Sequence, residues 1–491
     1  MADRDDLLRR GCLGVLACLL VTILTGGGPP ARAAPLSAPT FTVNSIDDIV
    51  ASPPLDSGPC ETLPGDGTCT LRAAIMKANH WPGGGATIDF APKLSGTPIT
   101  LHIPASGPDD ETTGDLNITQ TVTIRGSGAG QTIIDGNGSV THDRVFHIES
   151  GITVTMTGVT IQGGKTSDLG GGIDNFSGLL LLDHSVVISN TASNFGGGIF
   201  INFGGLTLVD STVAGNHSDR SGGGIDIDEG TTAAVYSSTV RNNTAGADGG
   251  GIKVDLANAT VVNSTISANT ATGTGGGLSN RFSTTTVLNS TVSGNQAYTD
   301  GGGIWNGCVT CPGVLNLFNA TIADNRADAQ LTGSGTGGGV YNYNENDNTV
   351  NVQNSLLADN LASDYDSERM VYFFVPDDCS GTLTSRGYNL VSYQTSDCTL
   401  TGGPFDQLNA AAYLGPLQDN GGPTWTQALL PGSQAIDAGR PEPGGCVDQF
   451  GTHLHTDQRG APRPANGAGA TICDIGAYEL QRTQSLPLLS K

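Results

Sequence analysis

The sequence predicts an all-β solenoid, a parallel β-helix with about 26 residues per rung, on three observations. First, a Gly-Gly-Gly-aliphatic block occurs seven times between Gly170 and Val340. Its aliphatic residues are Ile173, Ile199, Ile225, Ile252, Leu278, Ile304 and Val340, spaced 26, 26, 27, 26, 26 and 36 residues apart. Second, an asparagine keeps step with the glycines: Asn190, Asn216, Asn243, Asn269, Asn295, Asn325 and Asn360, each three residues after an aliphatic residue such as Val187 or Ile266. Third, the text between the markers, as in LTLVDSTVAGN and TTVLNSTVSGN, is β-branched at period two, with no helical periodicity.

A rung of that length holds three strands of roughly 4 to 5 residues with short turns. The glycines mark tight turns and close approach of successive rungs. Stacked at about 4.8 Å, the asparagine amides are placed to bond up the axis as a ladder, which makes their burial tolerable. The 36-residue interval divides into four extra residues before Asn325 and six after it, insertions that leave the coil intact.

In chain order, residues 1–33 have the form of a secretory signal. Arg9 and Arg10 precede an apolar run from Cys12 to Thr25, and Ala31-Arg32-Ala33 forms a cleavage site. Cleavage near Ala33 removes four basic and three acidic residues, leaving 18 against 43 and a net charge of −25. That field excludes nucleic-acid binding through overall charge. No transmembrane run is expected in the mature chain, which is read as a monomer.

Eight cysteines remain and fall into local pairs: Cys60 with Cys69, Cys308 with Cys311, Cys379 with Cys398, and Cys446 with Cys473. Locally paired cysteines behind a signal peptide imply disulfides in an oxidising compartment, secreted or at the cell surface. Cys308 and Cys311 lie in an insertion after Trp305, which favours a turn clamp over a redox or metal role.

Residues 34–92 differ in composition, and Leu71 to His80 is the helix candidate, suited to capping the first rung. Here FTVNS followed by CTLRAAI resembles the CSLREA-type segment that precedes right-handed parallel β-helices in secreted bacterial proteins. The resemblance implies a right-handed parallel β-helix of the pectin-lyase-like fold for residues 93–365. Residues 366–480 carry the phrases LGPLQDNGGPTWTQALLPGSQAIDAG, TDQRGAPRP and CDIGAYEL, which resemble the choice-of-anchor Q segment. This part is expected to be irregular and β-rich. The tail, 481–491, has no LPxTG-type anchor.

Candidate chemistry comes from stacking the repeats. The residue after each aliphatic reads Asp174, Phe200, Asp226, Lys253, Ser279, Trp305 and Tyr341; two positions further on are Asp228, Asp255, Arg281 and Tyr343. Strand alternation turns both rows outward. Asp226, Asp228, Lys253, Asp255 and Arg281 therefore form one expected surface patch, with Ca²⁺ as the cation its carboxylates would take. The resemblance implies an alternative in which this face serves a polysaccharide lyase or glycoside hydrolase. Trp305, Tyr341 and Tyr343 continue the face as candidates for stacking on sugars. His453, His455 and Asp457 alternate, which on an extended strand gives a metal-compatible trio.

IQGGKT at 161–166 lacks the first glycine of a phosphate loop, and neither an HExxH nor a G-x-S-x-G motif is present. The leading expectation is a non-catalytic, structural or adhesin-like protein contacting an extracellular glycan or a cell-envelope component. No cofactor is implied.

Overall fold

The computed structural model describes residues 38–107, 110–307, 312–333, 335–343, 347–366, 368–441, 445–464 and 472–481. The expected signal, the Cys308–Cys311 pair and residues 482–491 lie outside them.

Each regular rung contains four strands, not three. In one rung they are Ile199–Asn202, Gly205–Val209, Thr212–Ala214 and His217–Ser218. The fourth has two residues, too short to show alternation in the sequence. Every strand pairs in parallel with its equivalent in the next rung, as in Ile199↔Ile225, Leu206↔Ala233, Val213↔Val240 and Ser218↔Ala245. Among the described residues, first and second strands join in a 22-stranded sheet, third strands form a 12-stranded sheet, and fourth strands form a six-stranded one.

Inward residues of the first three strands, such as Ile225, Leu208 and Val213, are buried in one continuous core. Stacking is what makes the fold stable, because an isolated rung would leave this apolar face in water. The 36-residue interval preserves register, with Ile304↔Val340 and Trp305↔Tyr341 opposite one another.

Three internal ladders run along the coil. The Asn190 Nδ2 donates to Asn216 Oδ1 at 3.0 Å, and the pattern repeats through Asn243, Asn269, Asn295 and Asn325 to Asn360. It ends on a carboxylate, with Asn360 Nδ2 2.9 Å from Asp378 Oδ1. A serine ladder parallels it: the amides of Ser185, Ser211, Ser238 and Ser264 donate to the hydroxyls of Ser211, Ser238, Ser264 and Ser290. A shorter asparagine ladder joins Asn280, Asn306 and Asn342 at 2.6 and 2.8 Å.

At the N-terminal end, Leu71–His80 is helical and its N-cap Thr70 accepts from the Ala73 amide. Leu71, Ile75 and Ala78 sit in the main core. Arg72 is fully buried, 2.6 Å from Asp48, and donates to the carbonyls of Gly114 and Asp115. Arg72 thus ties the helix to the first rungs. Cys60 and Cys69 are joined there, as are Cys379 with Cys398 and Cys446 with Cys473 further on.

The coil continues past residue 365, where the sequence placed its end. Cys379–Ser385 pairs in parallel with the preceding rung and Cys398–Thr401 with it in turn. An antiparallel hairpin, Leu361–Asp366 with Val371–Pro376, interrupts the period and hides this continuation.

The chain then folds back over the outer face of the third-strand sheet. Thr265 Oγ1 donates to the Trp425 carbonyl at 2.6 Å, Thr291 Oγ1 to Gln458 Oε1 at 2.6 Å, and the Ala477 amide to Thr321 Oγ1 at 3.0 Å. Buried Arg463 holds Glu479 at 3.1 Å and also reaches Asn289 of the coil. The TDQRG and CDIGAYEL phrases are therefore the two halves of one latch.

Candidate functional site

The charged row begins with register. Asp226 lies opposite Lys253, and Asp255 opposite Arg281, on adjacent first strands. Both rows do point away from the core, but the first is covered. Asp226 is 0 % exposed and Lys253 7 %. The turn that opens each glycine block folds down onto this row. A Cβ on Gly222 would lie 2.5 Å from the Asp226 Cβ, and one on Gly249 2.8 Å from the Lys253 Cβ. Both glycines also have φ near +66°. They are thus required twice, by backbone conformation and by space. Phe195 closes the roof, its ring 4.9 Å from Lys253 Nζ.

The expected open patch is instead a buried ion-pair chain with one accessible end. Lys253 Nζ is 3.5 Å from both Asp226 Oδ1 and Asp255 Oδ2, and Arg281 Nη1 is 3.7 Å from Asp255 Oδ2. Asp226 Oδ2 and Asp255 Oδ1 have no hydrogen-bond partner among the described residues. Burial pushes the Asp226 carboxyl up to about 7, against the attraction of Lys253. Burial raises Asp255 too, opposed by Lys253 and Arg281. Asp228 is half-buried and Arg281 exposed. The same row holds Asp174 near Arg144, at 3.8 Å, so internal charge pairing recurs along it.

Trp305 and Tyr341 lie opposite one another, and Tyr343 comes beside them. All three are half-buried. Gly307 makes room, since a Cβ there would meet the Tyr343 Cβ at 2.5 Å and Trp305 Cζ2 at 3.1 Å.

The His453, His455 and Asp457 trio does not assemble. The two imidazoles pack on each other, with centroids 4.7 Å apart. Asp457 is fully buried and engaged by Arg459 at 2.6 Å, the Ala461 amide at 3.0 Å and the Glu479 amide at 3.0 Å. The chain turns at Asp457, whose carbonyl accepts from the Gly460 amide, so the extended geometry that alternation needs ends there.

Sequence reasoning passed over Asp183, His184 and Asp210, whose side-chain atoms converge within 4.8 Å. The hydrogen bond to Asp183, then its charge, holds the exposed His184 imidazole above its ordinary value. Two grooves also went unforeseen because the fold-back creates them. One, of about 650 Å³, lies among Asp359, Tyr393, Ala411, Tyr413 and Leu430. The other, of about 290 Å³, lies between Trp425 and the third-strand residues Thr212, Thr239 and Arg241.

With this geometry in view, a family model described as "Right handed beta helix region" matches residues 148–312. The crystal structure of pectate lyase Pel9A is similar at 12 % sequence identity, covering 91 % of this chain and 97 % of that one, with a TM-score of 0.47. No curated protein sequence matches. The coil is a right-handed parallel β-helix.

Proposed function

We propose that this protein is a secreted or cell-surface β-helix that binds without cleaving, presenting a rigid rod to an extracellular glycan or a cell-envelope partner. The observation that carries the reading is the burial of Asp226 and Lys253 beneath the glycine turns. A general base must come within about 3 Å of the proton it removes, and these groups meet each other instead. Asp228 and Arg281 remain near the surface without a convergent acid, base and nucleophile set among the described residues. The disulfides are compatible with an oxidising exterior. No described helix is long and apolar enough to cross a membrane.

The test is an array of polyuronates, neutral glycans and isolated cell-envelope fractions, probed with purified protein in the presence and absence of Ca²⁺. Binding to at least one class, with the ligand recovered intact, is expected. Binding to none of them overturns the reading.

A further inference from the structure

Every rung turns at residues with positive φ, and the corners differ in what they place there. Between second and third strands the last turns of the coil carry Tyr388 and Phe405, their rings stacked at 5.2 Å, but in the regular rungs the positions are His184, Asp210, Ser237, Asn263, Asn289, Asn319 and Asn354. These small or polar residues tolerate the left-handed conformation best. Between third and fourth strands the row is again Ser, Gly, Asn, Ala and Asp. Within the regular rungs, the corner between first and second strands breaks the rule. Alongside Ser177 and Gly230 it carries Phe203 at φ 55°, Leu256 at 52° and Phe282 at 50°. Bulky side chains there are outliers.

Burial does not account for the first two, and Phe282 is half-buried under Arg281. Phe203 is 52 % exposed and Leu256 48 %. They join Phe176 and Leu179 of the preceding rung, and the Phe176 and Phe203 rings meet edge to face at 6.4 Å. Glycines in the next rung clear space for them. A Cβ on Gly230 would sit 3.1 Å from the Phe203 ring, and one on Gly205 2.8 Å from Leu179 Cδ2. The corner thus keeps an apolar stripe open to solvent at the expense of backbone strain. Strain held in place at a surface points to use of that surface.

The neighbouring charges select the partner. Asp228 and the exposed Glu229 border Gly230, whereas Lys253 is buried and Arg281 is paired with Asp255 and stacked on Phe282. The whole chain carries −24. A second copy would bring like carboxylates together. We infer that the stripe Phe176–Leu179–Phe203–Leu256–Phe282 docks a polypeptide segment with an apolar face flanked by lysine or arginine. This rests on the binding reading above and gives it a surface and a partner class.

The experiment compares the full chain with a Phe203→Asn/Leu256→Asn variant, asparagine being at ease in the left-handed region. The probes are a synthetic amphipathic Leu/Lys peptide and its Leu/Glu counterpart. The Leu/Lys peptide is expected to bind the unaltered chain and to bind the variant at least about tenfold more weakly. The variant should melt at the same temperature or higher, and the Leu/Glu peptide should not bind.

Equal binding to both proteins, equal binding of both peptides, or a lowered melting temperature in the variant would each overturn the inference. So would loss of a glycan ligand, rather than the peptide, in the variant, or a dimer in sedimentation that the variant abolishes. Peptide failure beside a positive glycan or envelope array removes this inference alone. An array with no ligand together with peptide failure removes both.

Discussion

Asp226 holds a carboxyl in a fully buried site where one oxygen has Lys253 and the other has no hydrogen-bond partner. Its folded value of about 7 lies above the ordinary 3.8, so the folded state retains the proton that the unfolded chain releases. That contribution is fully present below about pH 4 and is lost as the pH rises through about 7. Asp377 and Asp474, both raised to about 7 chiefly by burial, act in the same sense. Thermal stability should therefore fall between about pH 4 and pH 7 on account of these groups. Asp226→Asn should flatten its share of the slope and stabilise the protein at pH 8 by on the order of 1–2 kcal/mol. Melting temperatures across pH read this directly, and a variant profile parallel to that of the unaltered protein would refute it.

At the scale of the element, the asparagine ladder is a run of paired amides in a dry interior. Asn269 Oδ1 accepts from both the amide and the Nδ2 of Asn243, and its own Nδ2 satisfies the Val240 carbonyl. Replacing it by leucine strands these groups, and a loss of about 3 kcal/mol is expected in denaturant unfolding. A loss below about 1 kcal/mol would mean that water or a neighbour replaces the bonds. This ladder's spacing was legible because its residue recurs in seven successive rungs. The shorter ladder of Asn280, Asn306 and Asn342 was not, because Ile201, Ile227 and Val254 occupy its equivalent position in earlier rungs. A position filled by asparagine in one stretch and aliphatics in another leaves no periodic mark. The two-residue fourth strand was missed for want of length, and the helix was found because its ten residues carry a local signal.

For the whole molecule, what the sequence could not disclose is what lies on top of what. Alternation gave the side of the sheet on which Asp226 and Lys253 project, and nothing in a strand pattern reports the glycine turn that roofs them. The fold-back is similar: Gln458 reaches Ser264 across 194 positions, a contact with no periodic trace, although the latch phrases themselves stood out as unusual text.

The central proposal is that the charged row is packed into the coil and performs no cleavage. The most direct measurement is ultraviolet absorbance of unsaturated product when purified protein meets polyuronates with Ca²⁺, run beside Asp228→Ala and Arg281→Ala. No absorbance rise in any of the three is predicted. A rise in the unaltered protein that either substitution abolishes would contradict the account and make the accessible end of the row an active site.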